Sequence, residues 1–207
     1  KNHKKIILLF SLTRVFSCKQ EVKNTIEAET QEVEKTTEDV IQEVVKVTPP
    51  AEQKNKKPLS PHTETMATIG EAQINIDYYS PGVRGRVVFG GLLAYDTVWQ
   101  TGAHMATWVE TNKDLIIEGE TLPKGKYGFF TIPTQGDWTI IFNSNWNQHG
   151  KDEYNENQDV LRFTTTPKIS ETVQEHLEYV VQKTTDTSGK ISMSWEKVSI
   201  EFPFEVK

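Results

Sequence analysis

From Ser17 to Asp77 the chain contains no Phe, Tyr or Trp. A segment without aromatic side chains buries too little apolar surface to offset the entropy of ordering it. All five tryptophans come later: Trp99, Trp108, Trp138, Trp146 and Trp195. The division predicts three parts: a short apolar segment over residues 1–18, a polar linker over 19–57 and a folded domain over 58–207. A domain of that size, ~150 residues, can bury roughly 70% of its unfolded surface around one core.

The same composition excludes several classes. The formal charge is −6, and a nucleic-acid partner needs a basic face to neutralise phosphates, so none is expected. No run approaches the ~20 apolar residues of a membrane-spanning helix. The single cysteine, Cys18, rules out a disulfide framework and a multi-cysteine zinc site.

Lys4 and Lys5 precede Ile6-Ile7-Leu8-Leu9-Phe10-Ser11-Leu12, the charged flank and apolar run of a secretory signal. Val15-Phe16-Ser17-Cys18 follows and resembles a bacterial lipobox. In that reading Cys18 becomes the first mature residue and its sulfur carries a diacylglycerol. The expectation is an exported protein, lipid-anchored to a bacterial membrane at the outer membrane or the periplasmic face. Residues 19–57 carry nine acids and seven lysines. Ile26, Val33, Val40 and Val47 fall seven apart, one thin helical stripe with no apolar companion for a coiled coil. A solvated tether, disordered or transiently helical, is expected, ended by Pro49-Pro50 and Pro58.

Beyond Pro58 the period changes to two. Residues 63–69 and 72–79 flank Gly70-Glu71 as a hairpin. Residues 105–111, 115–117, 126–132, 138–143 and 160–166 read as further strands. Residues 171–183 fit a helix or a strand, and the alternating neighbours favour a strand. Ile191, Met193 and Trp195 alternate, then Val198, Ile200, Phe202, Phe204 and Val206, giving two more strands. Pro203 predicts an edge position for the last. The fold class expected is all-β, an antiparallel β-sandwich of jelly-roll-like form. The βαβ pattern of a nucleotide-binding sheet is missing.

Several strings occur in a characteristic order: Ser80-Pro81-Gly82-Val83-Arg84-Gly85-Arg86, Val88-Phe89-Gly90-Gly91-Leu92, Val98-Trp99-Gln100-Thr101-Gly102-Ala103, Leu122-Pro123-Lys124-Gly125-Lys126-Tyr127 and Trp138-Thr139-Ile140-Ile141-Phe142-Asn143. In this order the region from about Pro58 to Val206 resembles the domain-of-unknown-function 2911 family. That family is common in Bacteroidetes and often borne on secreted or lipid-anchored proteins. The resemblance implies fold and export, and no activity. The family usually has Asn where His104 stands, and often Arg where Gln100 stands.

The chemistry-bearing residues form no familiar catalytic set. The domain has no Gly-x-Ser-x-Gly elbow, no His-Glu-x-x-His helix and no phosphate loop, so neither metal nor cofactor is expected. His62 and His104 are candidates for a polar pair at the mouth of the sandwich. Arg84 and Arg86, in a glycine-flanked loop, suit either a carboxylate clamp or ion pairs with Asp77 or Glu110. Trp146 stands among Asn143, Asn145, Asn147 and Gln148, the mix of ring and amide that a sugar or peptide site uses. The leading expectation is a non-catalytic module binding a small molecule, glycan or peptide through His62, Arg84, Arg86, Trp99, His104 and Trp146. The rivals are a hydrolase built around His62 and Arg86, and a structural envelope module without a ligand.

Overall fold

The computed structural model describes residues 58–207, so Cys18 and the tether over 19–57 lie outside the described residues. Ten strands follow in order: β1 (His62–Ile69), β2 (Ala72–Tyr79), β3 (Trp108–Thr111), β4 (Leu115–Ile117), β5 (Glu120–Leu122), β6 (Gly125–Ile132), β7 (Trp138–Asn143), β8 (Asp159–Thr165), β9 (Lys168–Lys183) and β10 (Ser188–Val206). They form two antiparallel sheets, ordered β1-β2-β3-β6-β7-β8 and β5-β4-β10-β9. The described residues are all-β, and the sheets do not close into a barrel.

Alternation drives the layering. In β2, Ala72, Ile74, Ile76 and Tyr78 are buried, while the residues between them are not. The inward rows of both sheets meet in one core. Phe202 of β10 lies against the rings of Phe129, Phe142 and Phe163, at 6.1, 6.1 and 5.2 Å. The segment over 80–107 contributes Val83, Val88, Phe89 and Trp99 to this core without forming a strand. Trp99 exchanges both backbone hydrogen bonds with Thr131, at 2.8 and 3.0 Å, beside the part of β6 that β3 does not reach.

Three expectations change. The predicted break between residues 195 and 198 is a bulge within one long strand. Up to Trp195 the odd-numbered residues point inward, whereas from Ile200 the even-numbered ones do. Glu196, at φ 57°, sits where the register with β9 shifts, β10 advancing four residues from Ser194 to Val198 while β9 runs nine from Glu178 to Ile169, and this irregularity swaps the two faces of β10. The sequence shows this phase change as two strands. Pro203, in turn, does not mark an edge strand, since β10 lies between β4 and β9. It falls in the gap between the two partners, because β9 pairs with residues up to Ser199 and β4 begins at Glu205. No backbone donor is needed there. In addition, β3 starts at Trp108, and Met105 makes only an isolated bridge to His149.

Candidate functional site

The outer face of the six-stranded sheet divides in two. Ala106, Phe130 and Ile141 form a small second apolar cluster, with Val98, Ile132 and Tyr154 packed on it. The segments over 98–106 and 143–154 therefore cover one half. The other half, across β1, β2, β3 and the start of β6, stays open. Register sets out its side chains in rows. His62 faces Tyr79; Glu64, Asp77, Trp108 and Gly128 form the next row; Met66, Asn75, Glu110 and Lys126 the one after.

The histidine end is built around Tyr79. The His62 Nε2 lies 2.7 Å from Asp77 Oδ2, and its ring packs on Tyr79 at 5.1 Å. His104 packs edge-on against the same Tyr79 at 5.0 Å. The two histidines thus meet through a phenol ring. His104 sits at φ 58°, a left-handed conformation that Asn, Asp and His enter more readily than other side chains. Its carbonyl accepts the Gly150 N–H at 2.7 Å, and the Ala106 N–H reaches the Gln148 carbonyl at 3.0 Å. These bonds tie the loop over 143–154 to the segment before β3.

The tryptophan end depends on a glycine. A Cβ at Gly128 would lie 2.7 Å from Phe130 Cε2, 3.1 Å from the Asn145 carbonyl and 3.2 Å from Trp146 Cα. Without one, the loop descends onto the sheet and brings Trp146 edge-to-face with Trp108 at 6.3 Å. The Lys126 ammonium stands 3.5 Å from the Trp108 ring centre and 4.5 Å from that of Trp146, a cation–π contact to each. It also lies 3.4 Å from Glu110. Next to this, Met66, Gln73, Asn75, Glu110, Thr111 and Asn112 line a depression of ≈ 290 Å³. Asn75 donates to Glu64 at 2.5 Å, and its buried Oδ1 has no partner among the described residues.

The other predicted site residues go elsewhere. Trp99 is a core side chain, 4% exposed. It is stacked on Trp195 at 5.7 Å, with its indole N–H donated to the Gly102 carbonyl at 3.0 Å. Arg86 donates from Nε to the Val83 carbonyl at 3.0 Å and from Nη2 to the Gly82 carbonyl at 2.6 Å. Its guanidinium braces its own loop. Arg84 is exposed on the rim near β9, where its backbone N–H donates to Glu175 Oε1 at 2.9 Å. Asp77 and Glu110 instead serve His62 and Lys126.

The amides around Trp146 are also largely internal. Asn143 donates to the Asn155 carbonyl at 3.0 Å and Asp159 Oδ1 at 2.7 Å, and Gln148 donates to the Asn145 carbonyl at 2.7 Å. Tyr154 donates to Asp159 at 2.9 Å. Burial first, and then that carboxylate, push its phenol well above the ordinary range. These side chains shape the loop rather than meet a ligand.

Sequence reasoning therefore missed Tyr79, Asp77, Trp108 and Lys126. The first two were within reach. A two-residue turn at Gly70-Glu71 pairs Ile69 with Ala72, and counting outward brings His62 beside Tyr79 and diagonal to Asp77. Among the described residues no three His, Cys, Asp or Glu side chains converge as a metal site would require.

A family described as "Protein of unknown function (DUF2911)" matches residues 60–204. The chain belongs to this family. The match starts two residues before β1 and ends inside β10, so it takes in both sheets and every residue of the open face. No curated protein and no solved structure matches the chain. The DUF2911 domain thus comes with a family and without an assigned reaction.

Proposed function

We propose that the DUF2911 domain is a non-catalytic binding module. In this reading it is moored to a bacterial envelope by a lipid on Cys18, spaced by residues 19–57, and takes a glycan on its open sheet face. The observation that carries the ligand class is the placement of Tyr79, Trp108 and Trp146. All three are only partly buried and lie outside the core, next to Glu64, Asp77 and Glu110 on neighbouring rows. Rings cover the apolar faces of a sugar, while carboxylates and amides accept its hydroxyl hydrogens. The buried, unpartnered Asn75 Oδ1 supplies another acceptor where the face needs a donor. The anchor rests on the sequence around Cys18 alone.

The test is calorimetric titration of the full chain with soluble oligosaccharides of several linkages, repeated with Trp108→Ala and Trp146→Ala. Binding that falls at least tenfold in either variant supports the reading. A wild-type protein silent to every glycan while it binds peptides would reassign the ligand. Mass spectrometry of the mature N-terminus tests the anchor, and an unmodified Cys18 removes it. A hydrolytic reading has one observation in its favour, the His62–Asp77 bond. Product analysis of each bound oligosaccharide separates it from binding alone, since turnover lost in His62→Asn would favour hydrolysis.

A further inference from the structure

A second feature lies away from the tryptophans, where the chain enters β1. Three segments are laced together there. The Ser80 N–H donates to the Pro61 carbonyl at 2.9 Å, the Leu177 N–H to the Pro81 carbonyl at 3.0 Å and the Val83 N–H to the Glu175 carbonyl at 2.8 Å. The Ser80 hydroxyl, in a buried position, donates to the Leu177 carbonyl at 2.6 Å. Gly82 and His176 form an isolated bridge in the same place. These bonds hold Pro61, the loop carrying Arg84 and the strand carrying His176 in fixed relation to one another.

Between these segments is a cavity of ≈ 370 Å³ lined by Pro58, Leu59, Pro61, Arg84 and His176. That volume falls within the ~300–1,000 Å³ of ordinary small-molecule sites. Two proline rings and Leu59, itself 64% exposed, make the walls apolar. The cationic group is Arg84, whose guanidinium has no ion-pair partner among the described residues. Glu175 spends Oε1 on the Arg84 backbone N–H at 2.9 Å. His176 turns Nδ1 toward the Ser80 carbonyl at 3.5 Å. Gly82 makes room for the arrangement: a Cβ there would lie 3.2 Å from Glu175 Oε1, 3.3 Å from His176 Cε1 and 3.4 Å from Arg84 Cγ.

We propose that this cavity binds a small apolar carboxylate, an aryl or short-chain acid. Its hydrocarbon body lies on Pro58, Leu59 and Pro61, and its carboxylate meets the Arg84 fork. A guanidinium offers two parallel N–H donors to a carboxylate, and an adjoining apolar wall excludes water from the pair. The site is independent of the glycan face, and either can fail without the other.

The experiment titrates the full chain with sodium 4-phenylbutyrate, benzoate and butyrate, and with the neutral 4-phenylbutanol. Phenylbutyrate should bind at least tenfold tighter than phenylbutanol. Arg84→Gln should abolish that difference with the melting temperature unchanged, because Arg84 is exposed. Trp108→Ala should leave acid binding as it was. Equal affinity for acid and alcohol, unaltered binding by Arg84→Gln, or loss of acid binding in Trp108→Ala would each overturn the assignment. So would the absence of binding by all three acids to the wild-type chain.

Discussion

The two faces of the six-stranded sheet use tryptophan in opposite ways. On the inner side, Trp99 and Trp138 are 4% and 1% exposed and, with Trp195 of the facing sheet at 1%, pack around Phe89. On the outer side, Trp108 and Trp146 touch each other and Lys126 while remaining partly open to water. The first three hold two sheets together. The other two contribute little burial and are brought close by a glycine and a loop. One residue type therefore serves the core on one side and an open surface on the other.

The largest effect that would sharpen this contrast is a pair of truncations. Trp195→Ala should cost ~3–5 kcal/mol in denaturant unfolding, as large-to-small core changes do. Trp108→Ala should cost at most ~1 kcal/mol, as expected of a partly exposed side chain outside the core. Equal losses would dissolve the division between the faces. Next comes Gly128→Ala. Its added methyl meets backbone at 3.1 and 3.2 Å, so a loss of ~1–3 kcal/mol from overpacking is expected. Separation of the Trp108–Trp146 pair should follow, read from tryptophan fluorescence and glycan affinity together.

Alkaline titration probes both sides at once. Burial raises the phenols of Tyr78 and Tyr179 on the inner side and of Tyr154 under the outer loop. The unfolded chain loses these protons near pH ~10, while the folded chain still holds them. Their contribution is thus fully present below pH ~10 and is lost as pH rises through the raised folded values. Tyr154→Phe should remove only the outer share of that slope, leaving the part due to the inner pair. The smallest expected change is in His62→Asn. A histidine–carboxylate contact whose histidine is 55% exposed contributes under ~1 kcal/mol. The variant should melt within a few degrees of wild type, and any loss of glycan affinity would come from the site itself.

Much of the fold is legible in the residues. The alternation in β2 and the turn residues Gly70-Glu71 specify the first hairpin with its register, and β7 begins and ends where the pattern over 138–143 does. The candidate site is less legible. Trp99 and Trp146 look alike in sequence, each followed by a polar residue in a segment without clear period, yet one is core and the other lies on the open face. What separates them is a partner: Trp99 finds Trp195 across the sandwich, and Trp146 finds Trp108 on the sheet. Arg84 and Arg86 differ in the same way. Only the positions of the Gly82 and Val83 carbonyls show that Arg86 is committed within its own loop.

The order of residues by itself determined where a packed body can exist, that it is made of strands, and which family it belongs to. Those properties follow from composition and from a period of two, and both are read within a few neighbours along the chain. Tertiary structure alone decided that the phase change at Glu196 falls within one continuous strand, with Trp195 and Phe202 in the same core. It likewise brought Ser80 to Leu177 and Gly128 to Trp146. Such meetings depend on atoms remote in sequence coming within a few ångströms, and no local pattern records that distance.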